Sequence, residues 1–156
     1  MMSEDLKSLI DQDIKSAMRA KDKPKLGTLR MLKAALVQKQ IDGPVESRDR
    51  PLTNDEIIAV IQKMVRERQD AAEQFDRGGA VDRAENERLE ITFLTPFLPE
   101  PLSEDALEAM IKQTIADLNA SSVRDMGAVI QALREGIQGR ADMKLVSSQV
   151  KQMLSK

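Results

Sequence analysis

Lysine and arginine side chains near two predicted helix starts are the residues of this sequence whose types and spacing suggest chemistry. The first group surrounds Pro24, which suits the first position of a helix, and consists of Lys23, Lys25, Arg30 and Lys33. Cations at a helix N-terminus oppose the helix dipole and cost about 0.3–1 kcal/mol each, unless an anion binds the free N–H groups there. The pattern is typical either of an edge that contacts phosphate or of a solvated lysine-rich turn.

The second group lies near the C-terminus, where a helix is predicted to begin at about Ala141. Arg140, Lys144 and Lys151 project on one side of that helix, opposite its apolar residues. Asp142 offsets part of their charge. Local charge therefore leaves two alternatives open, a phosphate-contacting edge and an ordinary exposed helix face.

Residue types argue against catalysis by the chain itself. It has no His and no Cys, so nucleophilic chemistry would need another nucleophile with an unusual base. No nucleophile elbow, phosphate-binding loop or dinucleotide fingerprint occurs. Glu85, Glu87 and Glu90 are typical of a solvated helix face, and no carboxylate spacing suggests the convergence that a metal site requires. We therefore expect no catalytic residue, no cofactor and no metal.

Charge and aromatic content limit how the chain could bind a nucleic acid. The net charge is −2, but residues 1–50 carry a net +3 and residues 51–102 a net −5. With no Trp, no Tyr and three Phe, the sequence offers no platform on which single-stranded bases could stack. An RNA partner would therefore be held through its backbone and its shape.

The sequence contains no apolar run long enough to suggest a membrane span, which needs about 20 residues. Its acidic start is not followed by an apolar stretch of the kind found in secretory signal peptides. These features predict a cytoplasmic location and no membrane partner.

Apolar residues recur at helical spacing along the whole chain, and no segment alternates convincingly with period two. The predicted fold is all-α, with a four-helix N-terminal bundle in residues 1–96 and a small three-helix domain in residues 103–156. A Pro-rich joint in residues 97–102 separates them. Predicted helix breaks lie at Gly43-Pro44, Gly78-Gly79 and Thr95-Pro96.

Several polar residues are predicted to cap helices, namely Ser3, Thr53 with Glu56, Ser103, and Ser122 with Asp125. The predicted core faces include Met18 in the first helix and Leu118 in the fifth. Arg68 lies on the apolar side of the third helix. It is expected either to pair with Glu90 or to extend its guanidinium to the helix edge.

Five phrases in this order resemble the GatB/YqeY family over nearly the whole chain. They are Leu29-Arg-Met-Leu-Lys-Ala-Ala-Leu36, Glu90-Ile-x-x-Leu94, Phe97-Leu-Pro-Glu-x-Leu-Ser103, Asp125-Met-Gly127 and Gly139-Arg-Ala-Asp-x-Lys-Leu-Val146. The resemblance marks Glu90, Phe97, Leu98, Pro99, Asp125, Gly127 and Gly139 as structural motif residues. It also implies an all-α fold with a four-helix part followed by a three-helix part.

The resemblance also implies a connection with tRNA. In the related tRNA-dependent amidotransferase, a similar module forms the tail of the B subunit and contacts tRNA, while amidation takes place in a different domain. A carbon–nitrogen ligase label, with glutamine as amido-N-donor, thus belongs to the larger assembly. By resemblance, tRNA contact carries over to Arg30, Lys33, Arg140 and Lys144.

Three functional hypotheses follow from these residues and this resemblance. The first is a non-catalytic tRNA-binding or tRNA-enzyme accessory module, with tRNA and an aminoacyl-tRNA synthetase or amidotransferase as partners. The second is a protein–protein interaction module that binds a translation-related partner through apolar surface near Phe97. The third is participation in transamidation within a larger assembly, which the absence of Cys and His places last.

Overall fold

The computed structural model describes residues 5–137 and 139–155, and in these residues every regular element is helical. The α-helices are α1 (Leu6–Ala20), α2 (Lys23–Asp42), α3 (Asn54–Arg77), α4 (Val81–Leu94), α5 (Glu104–Asp117), α6 (Met126–Ile137) and α7 (Met143–Leu154). Short 3-10 turns occupy Val45–Ser47, Thr95–Phe97 and Val123–Asp125. The all-α prediction is confirmed. The chain divides into two compact units, Met1–Leu98 and Pro99–Lys156.

In the first unit, short turns connect helices that pack on one another. Lys21 adopts a left-handed conformation (φ 56°) between α1 and α2, and Gly79 does so (φ 77°) between α3 and α4. The apolar faces enclose a core of Ile10, Leu29, Leu32, Leu36, Ile57, Ile61, Met64, Val65, Leu94 and Phe97. The predicted stripe of leucines on α2 is part of that core.

Of the helix caps predicted for the first unit, the one that lies in the described residues forms. Thr53 and Glu56 form the predicted capping box at the start of α3. The predicted cap by Ser3 lies outside the described residues. The backbone N–H of Leu6, at the start of α1, donates to Oδ1 of Asn54 at 3.2 Å. One side chain at the start of α3 thus satisfies a free donor of a helix 48 residues earlier.

Two residues predicted to face the core are exposed. Met18 is 53% exposed and Leu118 is 45% exposed. Each step of four residues turns about the helix axis by about 40° more than a full turn. An apolar stripe extended from Leu6 in steps of four therefore rotates away from the core. Ala17 is buried in place of Met18, whereas Leu118 caps the C-terminal end of α5.

The second unit has its own core, made of Leu107, Ile111, Val129, Leu133, Ile137, Val146, Val150 and Leu154. Ser103 caps α5 as predicted, because its side chain accepts from the backbone N–H of Ala106 at 3.1 Å. The predicted box of Ser122 and Asp125 also forms, but it begins a 3-10 turn that leads into α6. In the described residues, no helix is long and apolar enough to cross a membrane.

Candidate nucleic-acid interface

The N-terminus of α2 already carries a negative charge from the chain itself. The side chain of Asp22 accepts a hydrogen bond from the backbone N–H of Lys25 at 3.3 Å. This carboxylate supplies the favourable interaction with the helix dipole that an external anion would otherwise supply. The cations at the start of α2 consequently need no bound phosphate at the helix end to offset the dipole.

The four cations of this first group differ in their surroundings. Lys33 is held by Asp11, with Nζ and Oδ1 2.8 Å apart, whereas Lys25 is half-buried. Lys23 and Arg30 are exposed, and neither makes an ion pair with any residue that the structure describes. Because seven residues are close to two helical turns, both lie on the same face of α2, about 10 Å apart along its axis.

In the second unit, Arg140 is tied to the Pro-rich segment before α5. Its Nε donates to the carbonyl oxygen of Glu100 at 3.1 Å, and its own carbonyl accepts from the backbone N–H of Leu102 at 2.9 Å. The side chain is half-buried. Arg140 therefore holds residues forty positions apart together, and this use of its guanidinium leaves less of its charge for a partner.

The start of α7 repeats the arrangement seen at α2. Oδ1 of Asp142 accepts from the backbone N–H of Lys144 at 3.0 Å, so an aspartate again caps the helix. Lys144 and Lys151 are exposed and have no counter-ion in residues 5–137 and 139–155. They too are seven residues apart on one helix face. Each unit thus has one helix face that presents two exposed cations seven residues apart, neither of which makes an ion pair with a described residue.

Glu90, a motif residue, lies close to Arg68 as the sequence analysis suggested. Arg68 Nη2 and Glu90 Oε1 are 3.9 Å apart, with side chains 13% and 16% exposed. Arg68 Nη1 also donates to the carbonyl oxygen of Met64 at 3.1 Å, while its Nε is buried without a hydrogen-bond partner. This pair joins α3 to α4 and is part of the fold.

Phe97, near which the sequence places an apolar docking surface, is itself buried. Phe97 is 7% exposed and packs in the core of the first unit, and Leu98 is half-buried against that core. Pro99 is half-buried in its own unit. The ring of Phe97 itself therefore contributes almost no accessible area to the apolar surface near Phe97 that the protein-interaction hypothesis invokes.

The remaining motif residues lie in the second unit and have mainly local roles. Oδ2 of Asp125 accepts from the backbone N–H groups of Ser121 (2.8 Å) and Ser122 (3.3 Å). Gly139 has φ 78° and is buried, so a residue with a side chain would be strained there. Gly127 is different, since a Cβ added to it would contact nothing within 4 Å.

Sequence reasoning did not identify the two aspartate caps, and it did not identify Asp11 as the partner of Lys33. The caps had a detectable signal, because Asp is a preferred N-cap residue and lies within two residues of the predicted helix start in both places, Pro24 and Ala141. Asp11 had no such signal, since it lies 22 residues from Lys33. The described residues contain no cluster of three or more potential metal ligands.

The fold and these side chains define a small all-helical protein in which one helix of each unit carries two exposed cations on the same face. The family model described as YqeY-like protein matches residues 7–154, and the chain belongs to that family.

Three fungal relatives are each named altered inheritance of mitochondria protein 41, mitochondrial. The one from Pyrenophora tritici-repentis is 26% identical over 149 residues, covering 93% of this chain and 78% of the relative. The one from Eremothecium gossypii is 34% identical over 89 residues (57% and 46%). The one from Kluyveromyces lactis is 30% identical over 115 residues (72% and 60%). The match to the latter two spans about half to three fifths of their length.

These names contradict the predicted cytoplasmic location and point to a mitochondrial one. The prediction rested on the lack of an apolar run after an acidic start. That feature bears on secretion, whereas mitochondrial transit peptides are amphipathic and have no such run. The absence of an apolar run therefore does not distinguish the two locations.

Proposed function

We propose that this chain is a tRNA-binding accessory module that carries out no chemistry of its own. The observation that supports the proposal most directly concerns the seven cations that the sequence predicts to contact nucleic acid: four of them are exposed and make no ion pair with a described residue. They are Lys23 and Arg30 on α2, and Lys144 and Lys151 on α7. Membership of the YqeY-like family supports a module of this type, and the connection with tRNA comes from the resemblance described in the sequence.

Phosphate contact through these cations would be electrostatic and largely independent of base sequence. Each lysine or arginine that neutralises a phosphate releases condensed counter-ions, so affinity falls steeply as salt rises. The positions of the aromatic side chains favour contact with the tRNA backbone rather than stacking on its bases. Phe97 is buried, Phe93 is half-buried, and the half-buried ring of Phe75 lies 6.0 Å from the guanidinium carbon of Arg83.

The accessory role would place chemistry in a partner enzyme. An aminoacyl-tRNA synthetase or a tRNA-dependent amidotransferase is the partner class that the resemblance implies. A carbon–nitrogen ligase activity, with glutamine as amido-N-donor, would then belong to that enzyme. The chain's lack of His and Cys agrees with this division of roles. The alternative, a protein–protein interaction module for a translation-related partner, would use apolar surface near Phe97 and not the Phe97 ring, because the ring is buried.

The first experiment measures binding of the purified full chain to total tRNA at low and at physiological salt, with duplex DNA as the control. We expect salt-sensitive binding that prefers tRNA. The double variants Lys23→Gln with Arg30→Gln, and Lys144→Gln with Lys151→Gln, should each weaken binding by about tenfold or more at low salt. Helix content should stay unchanged, because all four side chains are exposed.

A matched control removes the same charge elsewhere. Arg77 and Lys112 are exposed and paired within their own helices, with Glu73 at 4.0 Å and Glu108 at 3.1 Å. The variant Arg77→Gln with Lys112→Gln loses two positive charges, as each test variant does, and should bind tRNA nearly as well as the unmodified chain. No tRNA binding at either salt would reject the function, and equal weakening in all three variants would reject the assigned residues.

A further inference from the structure

Gly27 lies inside α2, and the fold of its own unit does not require a glycine at this position. It is the fifth residue of a 20-residue helix, and glycine destabilises a helix interior relative to alanine. Its φ is not positive, and a Cβ added to it would contact no atom within 4 Å. Packing and backbone conformation would therefore both accept alanine here.

Other glycines of the chain have local explanations. Gly79 and Gly139 have positive φ values of 77° and 78°. A Cβ on Gly136 would lie 3.1 Å from Cε of Met110, so packing restricts that position. Gly127 is also open, but it is the second residue of α6 and directly follows a 3-10 turn. Gly27 is thus the open glycine that lies beyond the first turn of a described helix.

Two of the exposed cations of α2, Lys23 and Arg30, are neighbours of Gly27 on the helix surface, and neither makes an ion pair with a described residue. At 100° per residue, Lys23, Gly27 and Arg30 fall within about 60° of one another on one face of α2. Lys23 precedes Gly27 by about 6 Å along the axis, and Arg30 follows it by about 4.5 Å. All three are exposed. The bare backbone of Gly27 therefore lies between two cations on an accessible face.

We infer that the sugar–phosphate backbone of tRNA crosses α2 at Gly27, with Lys23 and Arg30 contacting phosphates on either side. The inference rests on the proposed function and deepens it. Because Gly27 has no Cβ, a ribose or phosphate can approach the helix backbone here more closely than it could if any other residue type stood at this position. Glycine is used elsewhere for the same purpose, where a ligand must come close to the protein backbone.

The test combines stability with binding in the full chain. Gly27→Ala should raise the melting temperature by about 2–6 °C, because alanine favours the helix, and should weaken binding to total tRNA by about threefold. Gly27→Leu should weaken it by more than tenfold with unchanged helix content. Ala109→Leu serves as the control for added bulk, since Ala109 is exposed on α5 in the other unit, and it should bind normally.

The outcomes separate this inference from the function on which it rests. If the unmodified chain binds tRNA and both Gly27 variants bind equally well, the crossing point is wrong and the function stands. If Gly27→Ala lowers the melting temperature, glycine is required by the fold and the inference is also wrong. If the unmodified chain binds no tRNA at low salt, the proposed function itself fails. Higher stability with weaker binding supports the inference.

Discussion

The starts of α2 and α7 share a local sequence design and differ in what the surrounding chain does with it. In both, an aspartate side chain caps the helix by accepting a hydrogen bond from the backbone N–H of a lysine, at 3.3 Å for Asp22 and 3.0 Å for Asp142. In the first unit, Lys33 is held by Asp11, and in the second Arg140 is held by the carbonyl oxygen of Glu100. Each lysine-rich helix start therefore contains some cations that bind groups of the chain itself and others that do not.

The two starts differ in how strongly the fold depends on the contact of the held cation, Lys33 in one and Arg140 in the other. Lys33 is 52% exposed and its partner 37% exposed, a surface pair of the kind worth about 0–1 kcal/mol. Arg140 is half-buried and follows Gly139, whose conformation only glycine adopts easily. The start of α7 should therefore be more sensitive to mutation than the start of α2.

Gly139→Ala should destabilise the second unit by about 1–2 kcal/mol. The added Cβ would occupy a left-handed conformation at φ 78°, which disfavours residues with a side chain. Urea unfolding followed by circular dichroism gives the free energy of unfolding. Gly127→Ala is the matched control, because a Cβ there contacts nothing within 4 Å. Equal stability of the two variants would contradict the role of positive φ.

The two aspartate caps should each contribute about 0.5–2 kcal/mol, measured as the loss of unfolding free energy in Asp22→Ala and Asp142→Ala. Asn caps helices about as well as Asp, so Asp22→Asn and Asp142→Asn separate the hydrogen bond from the charge. We expect the Asn variants to keep most of the stability and to bind tRNA more tightly, because one negative charge beside the cations is gone. Weaker tRNA binding by the Asn variants would contradict the electrostatic account.

Arg140 and Lys144 should respond in opposite ways to the same kind of change. Arg140→Gln loses the hydrogen bond to Glu100 and should reduce the free energy of unfolding by about 0.5–1.5 kcal/mol. Lys144→Gln should alter it by less than about 0.5 kcal/mol, because Lys144 is exposed, but should weaken tRNA binding more than Arg140→Gln does. A larger stability loss in Lys144→Gln would reverse the assignment.

The sequence was sufficient for features that depend on neighbouring residues. Helical spacing placed Leu29, Leu32 and Leu36 in the core, and the capping box at Thr53 and Glu56 forms as predicted. Such features need only the 3.6-residue period and the hydrogen-bonding capacity of a short side chain. They are the part of the fold that local physical chemistry determines.

Features that depend on distant residues were not predictable in the same way. The acceptor of Arg140 lies forty residues earlier in the chain, and the partner of Lys33 lies 22 residues earlier. Periodicity indicates which face of a helix is polar but says nothing about which polar groups meet. In the sequence, the two lysine-rich helix starts consequently looked alike. In the structure, each contains some cations that other groups of the chain hold and others that make no such contact.

A third helix start, that of α3, gives the smallest expected effect and the one that depends on pH. The backbone N–H of Thr53 donates to Glu56 Oε1 at 3.1 Å, and this hydrogen bond lowers the pKa of Glu56. The Thr53 hydroxyl and the positive charges of Arg50 and Lys39 lower it further, while burial opposes them. A carboxyl whose pKa is lower in the folded chain stabilises the fold above its unfolded pKa, near pH 4.5.

That contribution is lost as the pH falls from about 5 through the lowered pKa, because the protonated carboxyl is a weaker acceptor. Glu56→Gln should therefore be less stable than the unmodified chain at pH 7, and the difference should shrink as the pH approaches 3. Urea unfolding at several pH values measures it, with Glu104→Gln at the start of α5 as the control, since Ser103 caps that helix through its own side chain. A difference that stays constant between pH 7 and pH 3 would show that the Glu56 charge does not contribute, and that the capping box acts through its neutral hydrogen bonds alone.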